Sequence, residues 1–238
     1  LDSKALLAHC VWLDDDDLAR IARSGAGVSH NPISNAKLAS GIAPVPAMRR
    51  LGIPVGLGTD STLSNNSLNI FQEMKFAALM QRASSLDGSL IENRDALAMA
   101  TLEGARALGW DGEIGSLEVG KAADLIVLDL DHPLGLTAER VMSDLVYATG
   151  PQHVRHVMVA GETVFADGRF TRLTARLAFP LGCWLPYSAA KAGLGTLVPG
   201  LAQLLAIALG GAALFALEHG DVVQPREAVE QDCREVED

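Results

Sequence analysis

The chain has 238 residues, 49% hydrophobic and 20% charged, with a formal net charge of -10. That apolar content excludes a disordered chain, and the acidic balance excludes nucleic-acid binding through a basic groove, leaving small-molecule chemistry as the natural expectation. Three cysteines, Cys10, Cys183 and Cys233, have no paired spacing, which points to a reducing compartment, the cytoplasm, and away from a disulfide framework.

An apolar run over residues 6–11 contains His9 and Cys10 and reads as a strand. Because the chain opens at Leu1 close to this apolar strand, with no signal segment before it, a natural N-terminus further upstream is expected. Residues 13–24 read as a helix closed by Gly25, with Asp14 to Asp17 on its N-terminal turn and Arg20 and Arg23 toward its C-terminal end. Helix capping explains this acidic run better than a metal site does. The pattern then repeats: a strand over 27–29, a loop over 30–41, and a helix over 45–51 between Pro44 and Gly52. It repeats again with a buried strand over 54–58, a polar loop holding Asn65 and Asn66, and a periodic helix over 68–83.

Strands alternating with helices predict a parallel sheet of βα units. Each strand is short, apolar on both faces and followed at once by polar residues, as in a (β/α)8 TIM barrel that presents chemistry at its C-terminal rim. A further helix is predicted over 93–108. Beyond Gly109 the texture changes to glycine-punctuated strands over 123–130, 154–159 and 162–165. The fold class is therefore α/β: residues 1–112 as the last βα units of a barrel, 113–177 as part of a small β-sandwich, and 178–238 as a tail of unclear origin. A whole barrel takes roughly 250 residues, so the remaining units are expected outside this chain.

Asp60 is the first candidate for chemistry, because the apolar strand before it delivers a carboxylate to a strand end where burial is costly without a partner. A metal ion is one such partner, and capping of the following loop is the competing reading. His9 has the same placement and competes with a core histidine; together the two suit the holding of a metal and an activated water. Between them His30, Asn31, Ser34 and Asn35 lie in a loop dense in hydrogen-bonding groups, which either reads a substrate or is an ordered connection. His153 and His156 read as surface histidines. No Gly-x-Ser-x-Gly elbow or phosphate-binding Gly-x-x-x-x-Gly-Lys loop occurs, and Gly56-Leu57-Gly58 lacks the third glycine of a dinucleotide fingerprint.

Taken together, Ala8-His9-Cys10, the loop opening His30-Asn31-Pro32, Gly58-Thr59-Asp60 with Asn65-Asn66, Met99-Ala100-Thr101, and the run from Gly115 to Leu125 resemble the C-terminal part of the amidohydrolase superfamily. The similarity lies in its branch of cytosine, guanine and adenosine-type deaminases and s-triazine hydrolases. The loop most resembles that of the methylthioadenosine/S-adenosylhomocysteine deaminases, with guanine, 8-oxoguanine and triazine enzymes as alternatives. The resemblance implies a purine nucleoside-like small-molecule substrate and a divalent metal, zinc first and iron or manganese next, that activates water to attack C6 of an adenine ring and release ammonia. It implies that Asp60 ligates the metal and accepts the proton of the water, that His9 hydrogen-bonds the attacking oxygen, and that His30, Asn31, Ser34 and Asn35 bind substrate. The family's His-x-His pair, third metal histidine and catalytic glutamate have no match here, so the isolated chain is expected to be inactive, and a non-catalytic remnant or scaffold is the reading of another class. A homo-oligomer of the full enzyme is compatible with it.

The tail departs from the family. Residues 198–217 carry no charge, but Pro199, Gly200, Gly210 and Gly211 make them a poor membrane span, so a membrane partner is not expected. Tyr187-x-x-x-Lys191 matches the active-site helix of short-chain dehydrogenases but has no nucleotide-binding half beside it.

Overall fold

A computed structural model describes residues 1–130 and 137–171. The expectations for the tail, including the apolar run at 198–217, the Tyr187 motif, Cys183 and Cys233, lie outside the described residues.

Two sheets organise the chain. The first holds β1 (Leu6–Ala8), β2 (Gly27–His30) and β3 (Val55–Leu57), all parallel and in sequence order, with Ala8 level with Ser29 and His30 level with Leu57. Every residue of β2 and β3 is buried; β3 reads as a continuous apolar run, whereas β2 ends in the buried polar pair Ser29 and His30. The second sheet is antiparallel and joins β4 (Leu125–Leu128), β5 (Val154–Val159), β6 (Glu162–Ala166) and β7 (Arg169–Phe170) in that order. Val28, Val55 and Leu57 share one contiguous apolar core with Val157 and Phe165, so the two sheets are cemented through common packing.

Helix α1 (Asp15–Ser24) has the predicted ends. The Asp14 side chain accepts the backbone N–H of Asp17 at 2.8 Å, Asp15 to Asp17 load its first turn, and Gly25 closes it at φ 72°. Leu18 and Ile21, one turn apart, are its buried face. α3 (Val45–Arg50) and the long α5 (Ile70–Ser85) also stand where periodicity puts them.

Several local expectations are corrected. The loop over 30–41 contains a helix, α2 (Pro32–Lys37), started by proline in its first turn, where the missing N–H costs nothing. The polar loop after β3 likewise contains α4 (Thr62–Asn65), capped by the Ser61 hydroxyl and closed by Asn66 at φ 66°. The helix predicted over 93–108 is two helices, α6 (Asn93–Ala100) and α7 (Leu102–Leu108). Thr101 breaks them at φ -132° and ψ -101°. Three further elements were not predicted: α8 (Ala138–Tyr147), whose Val146 joins the core, a 3-10 turn over Pro151–His153, and the short β7. Gly27 is required where α7 crosses β2, since a Cβ there would overlap the Ala107 carbonyl.

Candidate active site

The three parallel strands end at one rim, and every sequence-predicted site residue gathers there. His9 follows β1, His30 ends β2, Asn31 stands at the N-cap position of α2 without a capping bond, Ser34 and Asn35 lie within α2, and Asp60 follows β3. The ladder runs to the site itself: His9 N–H donates to the Ser29 carbonyl and Gly58 N–H to the His30 carbonyl, both at 2.9 Å. These bonds fix the spacing of the three strand ends that precede His9, Asn31 and Asp60.

His9 and Asp60 meet across this rim, with His9 Nε2 lying 3.9 Å from Asp60 Oδ2. Both residues remain partly open to solvent, their side chains 40% and 27% exposed. Both also have left-handed backbones, at φ 67° and φ 59°, a conformation that costs a non-glycine residue roughly 1–2 kcal/mol. Strain at two facing polar residues is a recurrent mark of function.

The polar residues of α2 turn toward this pair. Ser34 Oγ donates to Asp60 Oδ2 at 2.6 Å, and Ser64 Oγ, from α4, donates to the same oxygen at 2.6 Å. Burial pushes the Asp60 carboxyl up. The hydrogen bonds from Ser34, Ser64 and the Ser61 backbone, with His9 beside it, more than reverse this and hold it below the usual carboxylate range. On the other side Asn35 Oδ1 lies 2.8 Å from His9 Nδ1. An amide oxygen can only accept, so in this bond His9 Nδ1 is the donor and the ring is turned with Nε2 toward Asp60. Asn31 Oδ1 accepts the Ser29 hydroxyl at 3.2 Å, and its Nδ2 donates to the Ser29 carbonyl at 3.4 Å and lies 3.5 Å from His9 Nδ1. Gly58 lies against Ser29 and Asn31, where any Cβ would collide with them.

His30 is 2% exposed, and its Nδ1 has no hydrogen-bond partner. Burial, with His9 nearby, lowers its pKa to about 4, so the ring is neutral at pH 7. Asn35 Nδ2 is also buried without a partner, and both residues line a narrow crevice with Pro32, Gly41, Ile42 and Met80. Ser64 and Glu73 were not singled out in the sequence, and Asn65 was named there only as part of the polar loop and its family resemblance. Asn65 Nδ2 donates to the Thr59 carbonyl and to Glu73 Oε1, each at 2.6 Å. Burial pushes the Glu73 carboxyl up to about 8, against the pull of its bonds from Asn65 and Ile33. The signal that could have found Glu73 is an ionisable residue among the buried positions of α5, whose other members are Ile70, Phe71, Met74, Ala77, Ala78 and Gln81.

Among the described residues no group of three His, Cys, Asp or Glu side chains is gathered as for a metal ion. His153 instead packs its Nδ1 against the Gly150 backbone, 3.0 Å from its nitrogen. Also among the described residues, no helix is long and apolar enough to cross a membrane.

The family model described as the amidohydrolase family matches residues 1–164. The chain belongs to that family. Across 72% of its length this amidohydrolase chain is 49% identical to a 5-methylthioadenosine/S-adenosylhomocysteine deaminase of Nitratidesulfovibrio vulgaris, covering 39% of that protein. It is 42% identical to a 5'-deoxyadenosine deaminase of Methanopyrus kandleri, covering 72% of this chain and 40% of the relative. The chain thus spans about two fifths of the length of the curated relatives it matches. Among solved structures, an adenosine deaminase from Xanthomonas campestris with bound zinc superposes with a TM-score of 0.71 at 34% identity, over 82% of this chain and 43% of the other.

Proposed function

We propose that this amidohydrolase chain is the C-terminal part of a metal-dependent hydrolytic deaminase that acts on an adenine-type ring of a purine nucleoside-like substrate and releases ammonia. In this reading β1 to β3 are the last strands of a (β/α)8 barrel, residues 1–112. Residues 113–177 are part of its β-sandwich, and the enzyme works in the cytoplasm. The observation that carries it is the pairing of His9 Nε2 with Asp60 Oδ2 at 3.9 Å on one strand-end rim. The deaminase names of the relatives support the substrate class.

Asp60 fits a divalent metal: it is a strand-end carboxylate held below the usual range, partly open to solvent, with serine hydroxyls orienting it. Asp60 would be one ligand, and the others would come from outside the described residues. Bound there, the metal, zinc by preference, supplies Lewis-acid activation of water at neutral pH. Asp60 accepts a proton from the attacking water and returns one to the departing amino group. His9, its Nδ1 proton held by Asn35, offers Nε2 to the attacking oxygen and orients it toward C6. The carbon–oxygen bond forms first and makes C6 tetrahedral; the carbon–nitrogen bond then breaks, and the nitrogen leaves as ammonia. His30, Asn31, Ser34 and Asn35 form the wall against which the ring is held, with His30 kept neutral.

The test is ammonia release by the full-length protein from methylthioadenosine, S-adenosylhomocysteine, adenosine, guanine and a triazine, together with metal analysis. Turnover of an adenine-ring substrate that disappears in Asp60→Ala is the expected result. Turnover of guanine or the triazine alone would reassign the substrate, and no metal with no turnover would reject the deaminase.

A further inference from the structure

Glu73 has a wholly buried side chain on α5, whose other buried residues are all apolar except Gln81. A carboxyl in such surroundings must find partners, and those it finds lie on two different loops of the rim. Its Oε2 accepts the backbone N–H of Ile33 at 3.2 Å. Ile33 belongs to the first turn of α2, where N–H groups have no partner inside the helix, so Glu73 satisfies the start of the helix that carries Ser34 and Asn35. Its Oε1 accepts one hydrogen of the Asn65 amide at 2.6 Å, and the other hydrogen of that amide goes to the Thr59 carbonyl at 2.6 Å. Thr59 immediately precedes Asp60. The carbonyl held by Asn65 therefore belongs to the peptide from which the left-handed Asp60 departs.

Two routes lead from one carboxyl to the same aspartate. Through α2 it reaches Ser34, which bonds the Asp60 side chain, and Asn35, which bonds His9. Through Asn65 it reaches the backbone that sets the direction of Asp60 and the short helix that carries Ser64. Glu73 touches neither His9 nor Asp60 in these bonds, and the reaction described above does not use it.

We propose that Glu73 is a positioning residue for the metal-binding aspartate: by holding α2 and α4 to one buried anchor, it gives Asp60 and its serine partners a single relative geometry. This rests on the deaminase reading to the extent that Asp60 is the metal ligand. An amide has only one acceptor oxygen, so Glu73→Gln can serve Ile33 or Asn65 but not both. Asn65→Ala removes the bridge from its other end without altering the carboxyl.

The experiment measures the zinc Kd by chelator competition, the thermal midpoint, and kcat and KM, in full-length wild type, Glu73→Gln, Asn65→Ala, the double variant and Asp60→Ala. Misplacing a partner of a metal ligand weakens metal binding by about tenfold or more. Glu73→Gln and Asn65→Ala are each expected to show that loss and a lower kcat with KM little changed. The double variant should add little to either, because both act on one path. If Glu73→Gln does not fold, Asn65→Ala carries the test alone. Wild-type zinc affinity in Glu73→Gln or Asn65→Ala, with affinity lost in Asp60→Ala, would overturn the role of Glu73 and leave the deaminase standing. Unchanged zinc binding in Asp60→Ala would overturn both.

Discussion

Acid should weaken this fold through His30, and by an amount that can be worked out. The buried ring is held neutral with a pKa of about 4 against an ordinary 6.5, because burial and the neighbouring His9 both disfavour its charge. Below 6.5 the unfolded chain takes up a proton that the folded chain refuses, so stability from this group is complete above 6.5. It falls as pH drops from there to about 4, and it levels off below. At about 1.4 kcal/mol per pH unit the loss comes to about 3 kcal/mol. Glu73 acts with the opposite sign: its folded value of about 8 exceeds the ordinary 4.5, so its contribution grows as pH falls from 8 toward 4.5 and masks part of the histidine effect. Comparison with His30→Gln removes the mask, since Glu73 is common to both proteins. Urea unfolding at pH 7, 6, 5 and 4 should show His30→Gln gaining on wild type by about 3 kcal/mol across the series. Parallel pH profiles for the two proteins would refute the assignment of a neutral, unpartnered His30.

Ser34→Ala removes one of the bonds that hold the Asp60 carboxyl down, so the group should titrate at higher pH in metal-free protein, as read from its carboxyl carbon resonance. Asn35→Ala should free His9 to exchange tautomers and lower kcat by about tenfold to a hundredfold, with the ring nitrogen shifts reporting the mixture. Gly27→Ala forces a Cβ onto the Ala107 carbonyl and should cost about 1–3 kcal/mol in a denaturant titration. Asp14→Ala strips the N-cap of α1 and should cost about 1 kcal/mol in the same assay, without touching the rim.

His9 and Asp60 were legible because each follows a short apolar run, and a parallel sheet turns that local pattern into a shared rim. The ends of α1 were legible for an equally local reason, Asp14 before the helix and Gly25 after it. The helices α2 and α4 were not: the first has six residues and the second four, and the Pro, Ser and Asn that start and close them are the residues of ordinary turns. The break between α6 and α7 left no periodic trace, since the apolar pattern runs through Thr101 without a proline or glycine. The work done by Asn35 and Glu73 was hidden for another reason. His9 lies 26 positions from Asn35, and Ile33 lies 40 from Glu73, so only the folded chain brings the partners together.

In the proposed reaction the left-handed backbones at His9 and Asp60 set durability and chemistry against each other at the same two positions. Local sterics there favour glycine, which has neither an imidazole nor a carboxylate. A library of variants sorted only for heat resistance would be pushed toward losing these side chains, and a redesign scored only on backbone comfort would replace both. Screening for robustness in this chain therefore needs an activity gate from the first round.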